Sequence, residues 1–413
     1  MKKKLNALTV SGLMIGPILG SGIIFLPPIA YGILKEHAIL AWVLMMALGA
    51  LFAYVFARMT VMVPTNEGIS VIIGQQLGNG FRKLSANYLT MAVLFGPVAV
   101  AITVAEYIQP LIPPDVGFSG FVLAFIVMAV SALIVLSGAS FMGKTMLVVS
   151  SITAVLLLAG STTTLITAPS VQLPSGLPDV GELGHTMLLI FWAIIGWEVL
   201  GNFVEEVSNP TRTIMRAMKL SLVAIVWVYL LTAFALQNSV GATMTGLLEP
   251  VFGSLSTVLF SLLVAGLCVC TIVTFTGAVV RQTVSRLQPL RIPALFRKHW
   301  PVIVILLLGN TAVLTLHSLG LLSFEHIVGA ANALFIGNAF LGLLSGFRLM
   351  RSIPIRIGIG VLLLLLLIIF LFSSLYSIGF FVLVTAATLI LRKKPDATAS
   401  AKTLTETGEQ QSL

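Results

Sequence analysis

The chain has 413 residues, of which 58% are hydrophobic and only 9% charged, with a formal net charge of +9 and a mean hydropathy of +1.08. Soluble domains carry about 25% charged residues, so these values exclude a water-facing globular protein and point to a bilayer. The basic residues sit in short runs between apolar segments rather than on one stripe, which argues against a nucleic-acid surface.

At about 20 mainly apolar residues per crossing, the chain divides into about twelve transmembrane helices, an all-α integral membrane fold. In chain order they are expected at 8–34, 38–63, 87–110, 119–138, 145–168 and 185–207. The second half gives 214–240, 251–280, 300–320, 326–347, 354–373 and 375–391. Lys2, Lys3 and Lys4 before the first run have the look of a secretory leader. The run is too long, however, and shows no small-x-small cleavage site before Pro27 and Pro28, so it reads as a retained helix. Cys268 and Cys270 lie two apart in one apolar segment and point to different sides of a helix, which leaves no disulfide or metal site between them. The polar stretch from Arg392 to Leu413 is expected to be disordered.

Lysine and arginine in the connections set the orientation. Lys2 to Lys4, Arg58, Arg82, Lys83, Lys144, Arg212, Arg216 and Lys219 fall on one side if the helices alternate. So do Arg281, Arg286, Arg291, Arg297, Lys298, Arg348, Arg351, Arg356, Arg392, Lys393, Lys394 and Lys402, and only Lys35 lies opposite. Both termini are therefore expected in the cytoplasm, with the chain in a cytoplasmic (inner) membrane.

Two segments carry interruptions. The first reads Gly16-Pro17-Ile18-Leu19-Gly20-Ser21-Gly22, and glycine and proline in a helix interior cost about 1 and 3 kcal/mol. The second reads Phe191-Trp192-Ala193-Ile194-Ile195-Gly196-Trp197-Glu198. The first and sixth segments occupy equivalent places in two five-helix halves of opposite orientation, and paired interruptions of that kind point to a transporter's binding site. At a break, free N–H groups carry partial positive charge and free carbonyls partial negative charge, a match for a zwitterion. The amides near Ser21, Gly22 and Ile23, with the Ser21 hydroxyl, are candidates to hold a carboxylate. Carbonyls around Gly16, Pro17 and Leu19, and around Phe191 and Ile194, are candidates to hold an ammonium. The competing use of such glycines is close helix packing.

These residues resemble the amino acid–polyamine–organocation superfamily of transporters. The first-helix signature is similar to Gly16–Pro27 with Gly20-Ser21-Gly22-Ile23 at its core. The sixth-helix signature is similar to Phe191–Ala217, with Gly196-x-Glu198, Glu205-Glu206, Asn209-Pro210, Arg212 and Ile214. Met215 and Trp197 depart from the family pattern, and Trp197 bears on gating or pocket size. Compact length and short loops look most like bacterial exporters of methionine and branched-chain amino acids. The resemblance implies a leucine-transporter-type 5+5 inverted repeat plus two C-terminal helices. That divides the chain into repeats at 1–168 and 185–347, two helices at 354–391 and the tail at 392–413. It further implies that Gly20, Ser21 and Gly22 take the substrate carboxylate, while Phe191, Trp192 and Ala193 line the pocket.

Among ionisable residues in the spans, Glu198 is the candidate for proton coupling, or else a brace for the break. Glu106, toward the outer end of the third helix, reads as interfacial. Glu205 and Glu206 near Arg212 and Arg216 are candidates for a structural or inner-gate ion pair, Glu205 with Arg212 above all. The five histidines sit in or near loops and are assigned nothing. Thr271, Thr274 and Thr276 on the eighth helix are available to a sodium site, and the fifth helix has no interior lysine. Proton antiport, simple exchange and sodium symport all stay open.

The expectation is a secondary transporter of neutral, apolar amino acids such as methionine, leucine, isoleucine or valine, since no charged residue besides Glu198 lies near the breaks in sequence. An importer of another amino acid or an amine is the alternative. A major facilitator is disfavoured by the short Ser208–Thr213 connection, and an enzyme by the lack of hydrolase or zinc motifs. A channel would want charge rings or carbonyl filters. No cofactor, nucleic acid or obligate protein partner is implied; the expected partners are the amino acid, membrane lipid and H+ as a coupling ion.

Overall fold

The computed structural model describes residues 4–113, 115, 117–168, 171–290 and 293–390. The expected disordered tail, Lys2, Lys3 and Arg291 lie outside the described residues. Fifteen α-helices follow in order: α1 Ala7–Leu19, α2 Gly22–Leu34, α3 Ala38–Met62, α4 Ile69–Leu77, α5 Asn79–Ile108, α6 Gly120–Leu136, α7 Ala139–Thr167, α8 Val180–Ile190, α9 Pro210–Gln237, α10 Met244–Phe252, α11 Ser256–Leu287, α12 His299–Ser318, α13 Phe324–Leu349, α14 Ile353–Leu371 and α15 Leu375–Ile390. Among the described residues no strand forms, and the only β-type contact is an isolated bridge between Leu5 and Val207.

Among the described residues, nine helical stretches are long and apolar enough to cross a bilayer, and three shorter apolar helices, α1, α6 and α15, join them. Because the stretch Gly22–Met62 contains both α2 and α3, this gives the twelve expected crossings, with α1 and α2 forming one. Leu133, Val155 and Leu308 are exposed on outer faces, as lipid-facing positions require. The short helices α4 and α10 were not anticipated; their apolar residues are too few to stand out from the spans they precede. The third crossing begins at Asn79 rather than 87, and the fifth at Ala139 rather than 145. Both begin directly after a glycine of positive φ, Gly78 and Gly138, which ends the preceding segment sharply.

Helices in equivalent places of the two halves pack on one another: α3 on α9, α5 on α11, and α6 on α12. This pairing is what a pseudo-two-fold relation between five-helix halves produces, with α14 and α15 added outside against α13. The central α1 packs on α7, α9 and α11. Its crossing with α7 is close because both helices are bare there. A Cβ on Gly12 would stand 2.5 Å from the Leu147 backbone, and one on Gly143 3.0 Å from the Thr9 carbonyl oxygen.

The first interruption is narrower than the sequence suggested. Gly16 and Pro17 lie inside α1, and the Gly16 carbonyl accepts the Gly20 amide at 2.8 Å. Pro17 cannot bond to the Leu13 carbonyl one turn earlier, and the Thr274 hydroxyl of α11 donates to that carbonyl at 3.4 Å. Chain reversal from helical geometry falls on Gly20 alone, at φ 32°, ψ −140°. The second interruption is wider. After α8 comes a 3-10 turn, Phe191–Ile194, then extended Ile195, then Gly196 at φ 127°, and Trp197–Glu206 continues as 3-10 rather than α-helix.

Candidate functional site

The two interruptions touch. A Cβ on Gly22 would lie 3.6 Å from Ala193 Cα, and one on Gly196 would lie 3.2 Å from Ile18 Cγ1, so the glycines are what let the broken segments meet. Tyr229 of α9 closes the junction from the side. Its hydroxyl donates to the Ile18 carbonyl at 3.0 Å and the Leu19 carbonyl at 3.3 Å, and its ring stacks on Trp42 at 4.8 Å. The Leu19 carbonyl, expected to hold an ammonium, thus already has a donor, and so does that of Gly16. Sequence reasoning missed Tyr229 because nothing local marks one tyrosine in an apolar helix as facing a distant break.

On the α2 side, the Ser21 carbonyl accepts the amides of Ile24 and Phe25. The amides of Ser21, Gly22 and Ile23 have no acceptor among the described residues. They are the positive end of a 13-residue helix.

Beside this junction lies a cavity of about 460 Å³, lined from the breaks by Pro17, Ile18, Ser21, Gly22, Trp192 and Ile195. Its far walls are α5 from Gly96 to Glu106, α11 at Thr271, Ile272 and Phe275, and α13 from Phe324 to Phe335. The rings of Phe275 and Phe335 meet at 4.9 Å and join those last two walls. Of its lining residues, Phe25, Glu106 and Phe324 are exposed.

Of the residues singled out in sequence, Pro17, Ser21, Gly22, Trp192, Thr271 and Glu106 line this cavity. The remaining substrate-site candidates do not. Gly16 faces α11, where a Cβ would stand 2.6 Å from Cys270 Cβ, so its role is close packing. Gly20 supplies the turn. Ile23 is buried away from the cavity, Phe191 packs edge-on against Phe52, Ala193 sits under Gly22, and Ile194 fits against Gly49 of α3. Trp197 is fully buried beyond the break and does not reach the cavity. Glu198 does not reach it either. Its Oε2 accepts the Gly196 amide at 2.8 Å, and its buried Oε1 has no partner among the described residues.

Glu106, expected to be interfacial and not near the breaks in sequence, is a charged side chain that lines the cavity. Also unforeseen are Thr103, whose hydroxyl donates to the Ala99 carbonyl, and Asn332 on α13. Thr271 lines the cavity but donates to Leu267 of its own helix, and Thr274 ties α11 to the Leu13 carbonyl of α1.

Glu205 and Arg212 form no ion pair, because Arg212 faces outward in the first turn of α9. Glu205 instead locks to Asn66, its Oε1 accepting the Asn66 amide at 2.9 Å while its own amide donates to Asn66 Oδ1 at 3.0 Å. The ion pair forms one residue on. Buried Arg281 of α11 reaches Glu206 at 3.0 Å, donates to the Gly277 carbonyl, and lies over the Phe203 ring at 4.7 Å. The Leu5 amide donates to the Glu206 carbonyl at 2.8 Å and fastens the segment before α1 to the same point. Cys268 and Cys270 are both free and buried.

The family profile described as "Amino acid permease" matches residues 5–285. An uncharacterized amino acid permease, YecA, of Bacillus subtilis is 22% identical over 57% of this chain and 55% of its own length. The large neutral amino acids transporter small subunit 2 of Oryctolagus cuniculus is 25% identical over 55% of this chain and 46% of its own. The chain spans about half the length of these curated relatives. Among solved structures, MhsT in complex with L-phenylalanine superposes with a TM-score of 0.60 at 17% identity, over 90% of this chain and 99% of that one, which establishes the shared fold. With more than half of its residues matched by the profile, the chain belongs to the amino acid permease family.

Proposed function

We propose that this chain is a secondary transporter of neutral, apolar amino acids, working as an exporter or exchanger by alternating access around the two breaks. The observation that carries the reading is the cavity where Ser21 and Gly22, at an amide-rich helix start, face walls of Ile18, Trp192, Ile195, Ile272 and Phe335. In it the substrate carboxylate sits on the first turn of α2 and the side chain lies against the apolar wall, the arrangement expected of a pocket for a small zwitterion. The ammonium is taken by carbonyls of the Phe191–Ile195 turn rather than by those Tyr229 and Gly20 occupy. The named activities of two relatives, amino acid permease and large neutral amino acids transporter, support the substrate class, as does the phenylalanine bound to MhsT.

The repeats are taken as 1–168 and 185–347, with 354–391 as the added pair, and both termini in the cytoplasm of an inner membrane. The Arg281–Glu206 pair, nearer the C-terminal end of α11 than the cavity-lining Thr271, Ile272 and Phe275, is taken as the inner gate. Glu198 is the proton-coupling group: with Oε2 held by Gly196, Oε1 is free to take a proton without breaking that bond.

Counterflow in proteoliposomes tests the reading. With unlabelled leucine or methionine inside, traces of labelled neutral amino acid outside accumulate, and an imposed pH gradient changes the rate. Failure of every common amino acid to accumulate would overturn it.

A further inference from the structure

Three arginines gather where α3 ends and α14 begins. Gly358 of α14 packs directly on Leu51 of α3, and Gly346 near the end of α13 is bare where a Cβ would stand 2.8 Å from Val55 Cγ1. The second and eleventh crossings run in opposite directions. From Leu51 to Arg58 along α3 is therefore the same distance, about 10 Å, as from Gly358 back to Arg351. Leu51 and Arg58 also share a face, being two turns apart. Arg58 thus meets the start of α14 at the level of Arg351. Arg356, in the first turn of α14, is held over the Phe347 ring of α13 at 4.5 Å.

Nothing in the protein answers these charges. Arg58, Arg351 and Arg356 form no ion pair among the described residues, whereas Arg82 and Arg281 each have a carboxylate. No aspartate or glutamate occurs in α3, or in the sequence between Glu325 and Asp396. Arg351 and Arg356 are exposed, and Arg58 is half-buried with only its Nε enclosed and unpartnered.

The neighbouring surface is apolar in one direction. Ile353, Ile357, Val361 and Leu364 are all exposed, and their spacing sets them in a row along α14 leading away from the arginines. A ligand matching both features is anionic at one end and hydrocarbon along the rest. We propose that the α3–α14 junction is a binding site for an anionic phospholipid of the leaflet on that side. Its phosphate sits among Arg58, Arg351 and Arg356, and an acyl chain lies along the apolar row. The forked guanidinium suits phosphate oxygens, and basic pockets between helices at the membrane surface hold such head groups. The lipid ties α14 to α3 whatever solute the chain carries, so its test is independent of transport.

The full chain in detergent is titrated with phosphatidylglycerol while its unfolding temperature is followed. The temperature is expected to rise to a plateau, with no rise for phosphatidylethanolamine or for sodium phosphate. Each arginine removed should raise the half-saturating lipid concentration about fivefold. Arg351→Gln alters an exposed side chain without an ion pair and so guards against misfolding, while Arg58→Gln/Arg351→Gln/Arg356→Gln should abolish the response. Arg212→Gln/Arg216→Gln/Lys219→Gln removes the same charge from the exposed face of α9 and should leave the titration unchanged. Equal half-saturation in the wild type and the arginine variants, or an equal loss in the α9 variant, would overturn the site. A rise with sodium phosphate alone would overturn its lipid identity.

Discussion

The Tyr229 hydroxyl stands 3.0 Å from the Ile18 carbonyl oxygen, which puts a side chain of the seventh crossing on the frayed end of the first. Helix ends leave their last carbonyls without intrahelical donors, and deep in a bilayer no water replaces them. One phenol serves two of these carbonyls, and Gly22 is bare where a Cβ would come within 2.6 Å of it. The ring cannot shift freely because it is stacked on Trp42.

Removing only that hydroxyl should loosen the break. Tyr229→Phe keeps the stacking and leaves two buried carbonyls without a donor, a loss of about 1–3 kcal/mol. We expect a lower unfolding temperature in detergent and weaker amino acid binding. Unchanged stability would mean that other donors, such as lipid-derived water, already serve the carbonyls.

The fold was legible because each crossing announces itself as a long apolar run and the basic residues between them share a side. The breaks were legible too, as Gly20 and Gly196 bring conformations that other residues resist. What the sequence could not show was which neighbours a break would acquire. Pro17 gave the appearance of a longer break, but the Leu13 carbonyl it leaves free takes the hydroxyl of Thr274 from α11, a partner the sequence of α1 does not show. Glu106 and Tyr229 lie tens to hundreds of residues from the glycines they serve or face, and nothing in their own segments marks the face they present. The expected Glu205–Arg212 pair differs from the observed Glu206–Arg281 pair at both ends, for a similar reason. In a 3-10 segment neighbouring positions point about 120° apart, so Glu205 and Glu206 reach different partners.

The Arg281–Glu206 pair should control access from its own end of the bundle. Arg281 is almost fully buried, and Glu206 is its only anionic partner among the described residues. Glu206→Gln weakens the hold on α11 and on the segment before α1 while keeping a hydrogen-bond acceptor. Native Cys270 reports the result, since α1 covers it at Gly16. In a Cys268→Ala background, labelling of Cys270 by a membrane-permeant maleimide should rise several-fold in Glu206→Gln. Equal labelling with and without the substitution would show that the pair does not hold this end shut.

Glu198 separates bracing from proton coupling because its two oxygens do different things. Glu198→Gln keeps an oxygen acceptor for the Gly196 amide but cannot bind and release a proton; Glu198→Ala loses both. The expected outcome is that the glutamine variant exchanges amino acids at near wild-type rate and no longer responds to a pH gradient, whereas the alanine variant is inactive. A glutamine variant that still responds to the gradient would assign the brace to Glu198 and the proton elsewhere.

Ser21→Leu tests the carboxylate end of the site. Ser21 is half-buried, makes no side-chain cap to α2, and lines the cavity beside three amides without acceptors. A leucine there needs no change in backbone, because Ser21 has ordinary helical angles of φ −68° and ψ −22°. The packed junction of Gly22 with Ala193 is untouched. The branched side chain instead projects into the space a carboxylate would occupy and screens the amides with apolar surface. We therefore expect a monodisperse, thermally stable protein that neither binds nor exchanges any amino acid, whatever its side chain. Loss of only the larger substrates would instead place Ser21 against the side chain, and the carboxylate would then have to be sought at another set of free amides.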